Sequence, residues 1–124
     1  MTPEDARTQA EEDIANYIDA DSHRILMVEG TPVAMTGFNA TQPEAVQVGG
    51  VYTPPELRRR GYGRLAVALH LAEARQKGAT RAILFSAGPA ATRAYEALGF
   101  QHIGAYGFVL FDGPQEVRPA EATP

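Results

Sequence analysis

The 124-residue chain contains no cysteine. Disulfides, thiolate metal ligands and cysteine nucleophiles are thereby excluded, and cysteine pairing gives no clue to the redox compartment. Nowhere do eighteen apolar residues run together, and the opening residues MTPEDARTQA hold no apolar segment of the kind that directs secretion. Neither a membrane span nor export is expected, which leaves the cytoplasm as the default location. Basic charge is not in excess either. The 11 Lys and Arg residues stand against 15 Asp and Glu, and the net charge of -4 argues against a general affinity for nucleic acid or anionic membranes. The three histidines, His23, His70 and His102, are too scattered to suggest a metal site, and none is expected. Internal repeats and low-complexity blocks are also missing.

What remains is an ordinary globular composition, 44% apolar and 21% charged, at a length that bounds the chain to one domain or a fragment of a larger one. We place the domain at residues 1–113, with a helical segment over 1–22, a core over 23–111, and an irregular tail over 114–124 that is broken by Pro114, Pro119 and Pro124.

Local patterns set the order of elements. Thr2 as a capping residue, Pro3 at the first helical position and Asp5 two residues on predict a helix over 3–19. RILMVE (24–29) and VAMTGFN (33–39) flank Gly30-Thr31-Pro32 and read as a hairpin. AVQVGGVYT is a third β-rich run, stopped by Pro54 and Pro55, which have no N–H to offer a ladder. Leu65, Leu69 and Ala72 predict a core-facing helix closed by Gly78. RAILFSA (81–87) reads as a buried strand and PAATRAYEAL (89–98) as a short helix ended by Gly99, with Phe100 packing back near Tyr95. FQHIGAYGFVLF (100–111) supplies a last strand, bent or bulged at Gly104 or Gly107. Tyr52, Phe85 and Tyr106 are expected in core or sheet packing, and His70 at a surface or boundary position. The fold class is α/β of the mixed α+β kind, a central mixed sheet with helices packed over it.

PELRRRGYGR (55–64) sits where a strand hands over to a helix. The first N–H groups of a helix lack intrahelical partners and carry partial positive charge. Glycines at 61 and 63 allow close backbone approach, and Arg58, Arg59 and Arg60 add charge, so the loop suits a phosphate. It is neither a Walker loop, since no Gly-Lys-Ser or Gly-Lys-Thr follows, nor a dinucleotide fingerprint, which needs a third glycine.

Arg58-Arg59-Arg60-Gly61-Tyr62-Gly63 resembles the Arg/Gln-x-x-Gly-x-Gly/Ala signature of the GNAT N-acetyltransferase superfamily. PAATRAYEALGF (89–100) is similar to the later GNAT motif, in which a short helix carries a tyrosine three residues before Leu-Gly-Phe. The two blocks stand in the family's order, and the resemblance covers about residues 24 to 111. It implies a GNAT acyl-CoA N-acyltransferase fold whose parallel strands, here 46–53 and 81–87, splay to admit the pantetheine arm. It further implies that acetyl-CoA is the cosubstrate and that the backbone and side chains of Arg58, Arg59, Arg60, Gly61, Tyr62, Gly63 and Arg64 bind its pyrophosphate. Val51 would pair with the arm, and Tyr95 would be the general acid for the departing thiolate. The acceptor implied is the amine of a small molecule or peptide, with no nucleic-acid or membrane partner.

Three departures matter. Gly88 stands where many members carry Asn, only one helix precedes the first hairpin, and a single run is left for the final strands. The chain then reads as the cofactor-binding part of a longer protein, or as one that completes its pocket as a homodimer. Glu29, Glu44, Gln47 and His70 lie near the relevant elements as candidate bases, and no spacing singles one out. Two rival readings stay open: a noncatalytic acyl-CoA-binding or sensing module, and an interaction or nucleic-acid-binding domain using the arginine-rich loop.

Overall fold

The structure, a computed structural model, describes residues 2–104. Tyr106, Gly107, the greater part of the expected last strand and the tail lie outside the described residues.

Thr2 caps α1 (Pro3–Ala20): its Oγ1 accepts from the Asp5 N–H at 3.1 Å, and the Asp5 carboxylate accepts from the Thr2 N–H at 3.3 Å. The reciprocal pair satisfies two donors that the first turn would leave unpaired. Three antiparallel strands follow, β1 (His23–Val28), β2 (Thr31–Thr41) and β3 (Ala45–Tyr52). Glu29 (φ +50°) and Gly30 (φ +81°) form the tight turn between the first two. A single 3₁₀ turn at Pro55–Leu57 then leads into α2 (Tyr62–Gln76). After α2 the chain returns to the sheet as β4 (Arg81–Ile83), parallel to β3, and ends its described regular structure in α3 (Pro89–Glu96). The sheet order is β1-β2-β3-β4.

The core lies between the sheet and α2. Ala34, Thr36, Val46 and Val48 meet Ala66, Val67, His70 and Ala74. Val67 is 1% exposed, and its burial contributes about 1.5 to 2 kcal/mol. The buried face of α2 is not the predicted one, since Leu65 and Leu69 are 46% and 54% exposed. Two alanines among the four buried positions explain the rotation: small side chains let the helix axis approach the sheet, where leucines would hold it away. His70 is 3% exposed, so it is a core residue and not the expected boundary one. Its ring stacks on Phe38 at 3.7 Å between centroids.

β4 is shorter than the predicted strand. Its pairing with β3 runs Ala45↔Arg81, Val46↔Ala82 and Gln47↔Ile83, and residues 84–87 leave the ladder while β3 continues to Tyr52. The cause is visible in β3. Gly37 faces Gly49 but Met35 faces Tyr52, so β3 spends one extra residue there, and Gly50 takes φ +63°. A left-handed glycine in a bulge bends its strand, and here the bend begins just past the last parallel rung. The expected order in 100–111 is also absent from its first part, because residues 100–104 belong to no strand.

Candidate active site

Beyond Gln47 the β4-facing edge of β3 has no partner strand among the described residues, and residues 84–87, which follow β4, join no ladder. The N-terminus of α2 stands at the end of that unpaired edge. Arg59 (φ +67°) and Gly61 (φ +79°) are both left-handed, and Gly61 caps the helix. Holding an arginine there costs about 1 to 2 kcal/mol, a strain of the kind that concentrates at functional loops. Left-handed residues in such a turn aim successive N–H groups into one concavity. Among the described residues no N–H from 59 to 64 donates to a carbonyl; the first to do so is that of Leu65, to Gly61 at 2.9 Å. The loop therefore offers donors to an anion.

The two glycines have different reasons. Gly61 supplies the left-handed turn. Gly63 faces the sheet, where a Cβ would lie 3.2 Å from Thr53 Oγ1 and 3.6 Å from a Val51 methyl. Its absence of a side chain seats the first turn of α2 against the end of β3. Val51 is thus held under the helix N-terminus, so the loop and the strand edge form one unit. The arginines divide as well. Arg58 turns back, donating from Nε to the Thr53 carbonyl at 3.0 Å with its guanidinium 6.0 Å from the Tyr52 ring centre. Arg59, Arg60 and Arg64 are exposed, and Tyr62 is half-buried in the first turn. Tyr52 and Phe85, at 51% and 62% exposure, are not core residues; Tyr52 is a platform for Arg58.

Tyr95 sits on α3, half-buried. The Phe100 N–H donates to the Tyr95 carbonyl at 3.2 Å, Gly99 takes φ +100°, and the two rings meet edge-on at 6.0 Å, which is the cap that the sequence predicts. Burial raises the Tyr95 phenol above its ordinary pKa of 10.0, so it holds its proton at neutral pH. At the start of the same helix, Thr92 Oγ1 bonds the Gly88 carbonyl at 3.0 Å and the Ser86 hydroxyl at 2.7 Å. These polar groups occupy the stretch where Gly88 departs from the family's Asn.

The four candidate bases are dispersed. Glu29 and Glu44 lie in exposed turns remote from the bulge, Gln47 is the last parallel rung, and His70 is buried on the α2 face. A recess of about 540 Å³ lies at the far end of α2, between Val46, Gly78 and Ala82, where no helix N-terminus offers donors. Among the described residues no three metal-ligating side chains cluster, and no helix is long and apolar enough to cross a membrane.

Residues 2–100 match the model of the acetyltransferase (GNAT) family. The chain belongs to that family. GNAT acetyltransferases use acetyl-CoA, which is therefore the cosubstrate here. Among solved structures, an acetyltransferase from Trypanosoma brucei is 20% identical with a TM-score of 0.66, covering 81% of this chain and 77% of its own. The aminoglycoside N-acetyltransferase AAC(6')-Iy, solved with CoA, is 19% identical with a TM-score of 0.64 over 86% and 87% of the two chains. A ribosomal-protein-alanine N-acetyltransferase from Brucella melitensis is 22% identical with a TM-score of 0.64 over 78% and 64%. At these identities the likeness is one of fold. No curated protein matches the sequence.

Proposed function

We propose that the protein is an N-acyltransferase that moves the acetyl group of acetyl-CoA to a primary amine by direct attack. The observation that carries this reading is the early end of the β3/β4 ladder at Gln47↔Ile83, beside a helix N-terminus whose N–H groups are free. An extended amide-bearing arm of the cosubstrate fits an opening with one unpaired strand edge, by the hydrogen bonding that adds a strand to a sheet. Its pyrophosphate fits the N–H groups of residues 59–64, with Arg59, Arg60 and Arg64 adding charge.

In this reading, Val51 and its neighbours pair with the arm, and a backbone N–H of β3 polarises the thioester carbonyl. Tyr95, kept protonated by burial, supplies the proton that the departing thiolate needs. The acceptor is an amine of small-molecule or peptide origin. The aminoglycoside relative offers a parallel, because it has been solved with a bisubstrate analogue joining CoA to an acetylneamine.

The test is thiol release from acetyl-CoA in the presence of a panel of amines that includes an aminoglycoside, a polyamine and an alanine-ending peptide. Tyr95→Phe is expected to keep cosubstrate affinity and lower kcat about 10²-fold or more, within the range of general acid catalysis. Turnover unchanged in Tyr95→Phe removes the tyrosine from the chemistry. Tight binding with no turnover of any amine assigns the chain instead to noncatalytic acyl-CoA binding.

A further inference from the structure

The sheet face turned away from α2 carries a floor of bare backbone. Gly37 on β2 is paired with Gly49 on β3, and Gly50 follows in the bulge. Two polar side chains lie flat on it. A Cβ at Gly37 would overlap the His23 ring, and one at Gly49 would overlap the Asn39 carboxamide. A Cβ at Gly50 would stand 2.9 Å from His23 Nε2. The imidazole thus reaches from β1 across β2 to the bulge, at the point where β3 leaves β4.

The ring is fixed on its other sides. Tyr17 of α1 stacks on it at 3.6 Å between centroids, with planes 13° apart. The Ser22 hydroxyl lies 2.7 Å from Nδ1. Ser22 is itself pinned, its N–H donating to the Tyr17 carbonyl at 3.2 Å and its carbonyl accepting from the Phe38 N–H at 2.9 Å. In the tautomer whose Nδ1–H donates to Ser22 Oγ, the Nε2 lone pair lies on the Gly50 side, where no described residue bonds to it. A base oriented by a third group is the arrangement that proton abstraction requires.

We propose that His23 Nε2 takes the proton of the attacking amine, with Asn39 hydrogen-bonding the same acceptor from across the glycine floor. This rests on the reading that acetyl-CoA lies in the opening along β3. The alternatives fare worse. Glu29 and Glu44 sit in turns about five or more residues along their strands from the bulge, roughly 15 Å at 3.3 Å per residue. Gln47 has no basic atom, and His70 is sealed behind Phe38.

The surroundings favour a neutral imidazole. Tyr17 faces it from α1, Gly37 and Gly50 lie under it on β2 and β3 and carry no charge, and His70 on the α2 face is a titratable neighbour whose charge would repel an imidazolium here. The adjacent Arg24 is itself bound to both Asp21 and Glu73 at 3.0 Å. Burial lowers the His23 pKa from 6.5, so the base is free at neutral pH. The balance is complete. The ammonium gives one proton to Nε2, the C–N bond forms as the C–S bond breaks, and the thiolate takes its proton from Tyr95. The second amine proton, lost as the amide forms, restores the phenol, and the imidazolium discharges to water.

The experiment compares S-(3-aminopropyl)-CoA with S-propyl-CoA on protein carrying ¹⁵N-histidine. In the free protein His23 is expected as the Nδ1–H tautomer. The amine conjugate is expected to displace its Nε2 resonance and to bind about tenfold or more tighter than the propyl conjugate, the scale of one hydrogen bond to a charged group. His23→Phe, which keeps a ring on Tyr17 but has no acceptor, should abolish that gain and leave the propyl affinity unchanged. If both conjugates bind equally, or the His23 ring is unmoved with both bound, the cosubstrate site stands and the role of His23 is overturned. If neither binds, the cosubstrate reading falls and this inference with it.

Discussion

Single residues carry distinct physical duties in the loop that opens α2. Gly61 is needed for its left-handed φ of +79°, and Gly63 for its contact with Thr53 and Val51. Their replacements should therefore fail differently. Gly61→Val forces a β-branched residue into a conformation it avoids, at a cost of about 1 to 2 kcal/mol, and disturbs the converging N–H groups. Gly63→Val leaves the helix propensity nearly intact but pushes the first turn off the end of β3. Both are expected to weaken acetyl-CoA binding tenfold or more, with a far smaller relative change in urea midpoint, as calorimetry and equilibrium unfolding would show together. An affinity loss no larger than the stability loss would mean that the loop matters only to folding.

At the scale of elements, α2 owes its seat to small residues and to one buried histidine. Desolvation against the sheet lowers His70 from 6.5 to about 4, a cause to which Arg24 adds. Between those two values the unfolded chain binds a proton that the folded chain refuses, so stability must fall as pH drops from neutral towards 4. At 1.36 kcal/mol per unit the loss is about 3 kcal/mol. His70→Phe keeps a ring against Phe38 and removes both the titration and the buried Nδ1 that has no partner among the described residues. Its unfolding free energy should vary much less over that interval, and a pH dependence equal to the parent's would contradict the assignment. The sequence pattern showed that α2 exists and where it stops, because Gly78 (φ +106°) marks the end. It did not show which face is buried. Leucine spacing pointed to Leu65 and Leu69, whereas the decisive property was the small size of Ala66 and Ala74, which only the neighbouring sheet turns into close contact. The same limit applies to β4: RAILFSA has an unbroken apolar run at its centre, and nothing in that segment reveals that a bulge at the distant Gly50 withdraws the pairing partner after Ile83.

Over the whole molecule, the glycine turn before α2 and the capped Tyr95 helix were legible as local structure, because the residue requirements of a glycine turn or a cap are written in consecutive positions. His23 was not legible as anything but a histidine. Its position depends on Gly37 and Gly50 being bare, on Tyr17 arriving from α1, and on register between three strands, all contacts between residues distant in sequence. The acidic net charge of -4 coexists with exposed arginines gathered at one helix end, which fits local anion binding and not broad attraction to nucleic acid. In the reading proposed above, the cosubstrate lies along the free edge of β3 with its pyrophosphate at the N-terminus of α2. Calorimetric titration with acetyl-CoA, CoA and adenosine 3',5'-bisphosphate, which lacks the pantetheine arm, tests it most directly. Micromolar binding of the first two is expected, with at least a tenfold loss without the arm. Equal binding of all three, or binding of none, would contradict it.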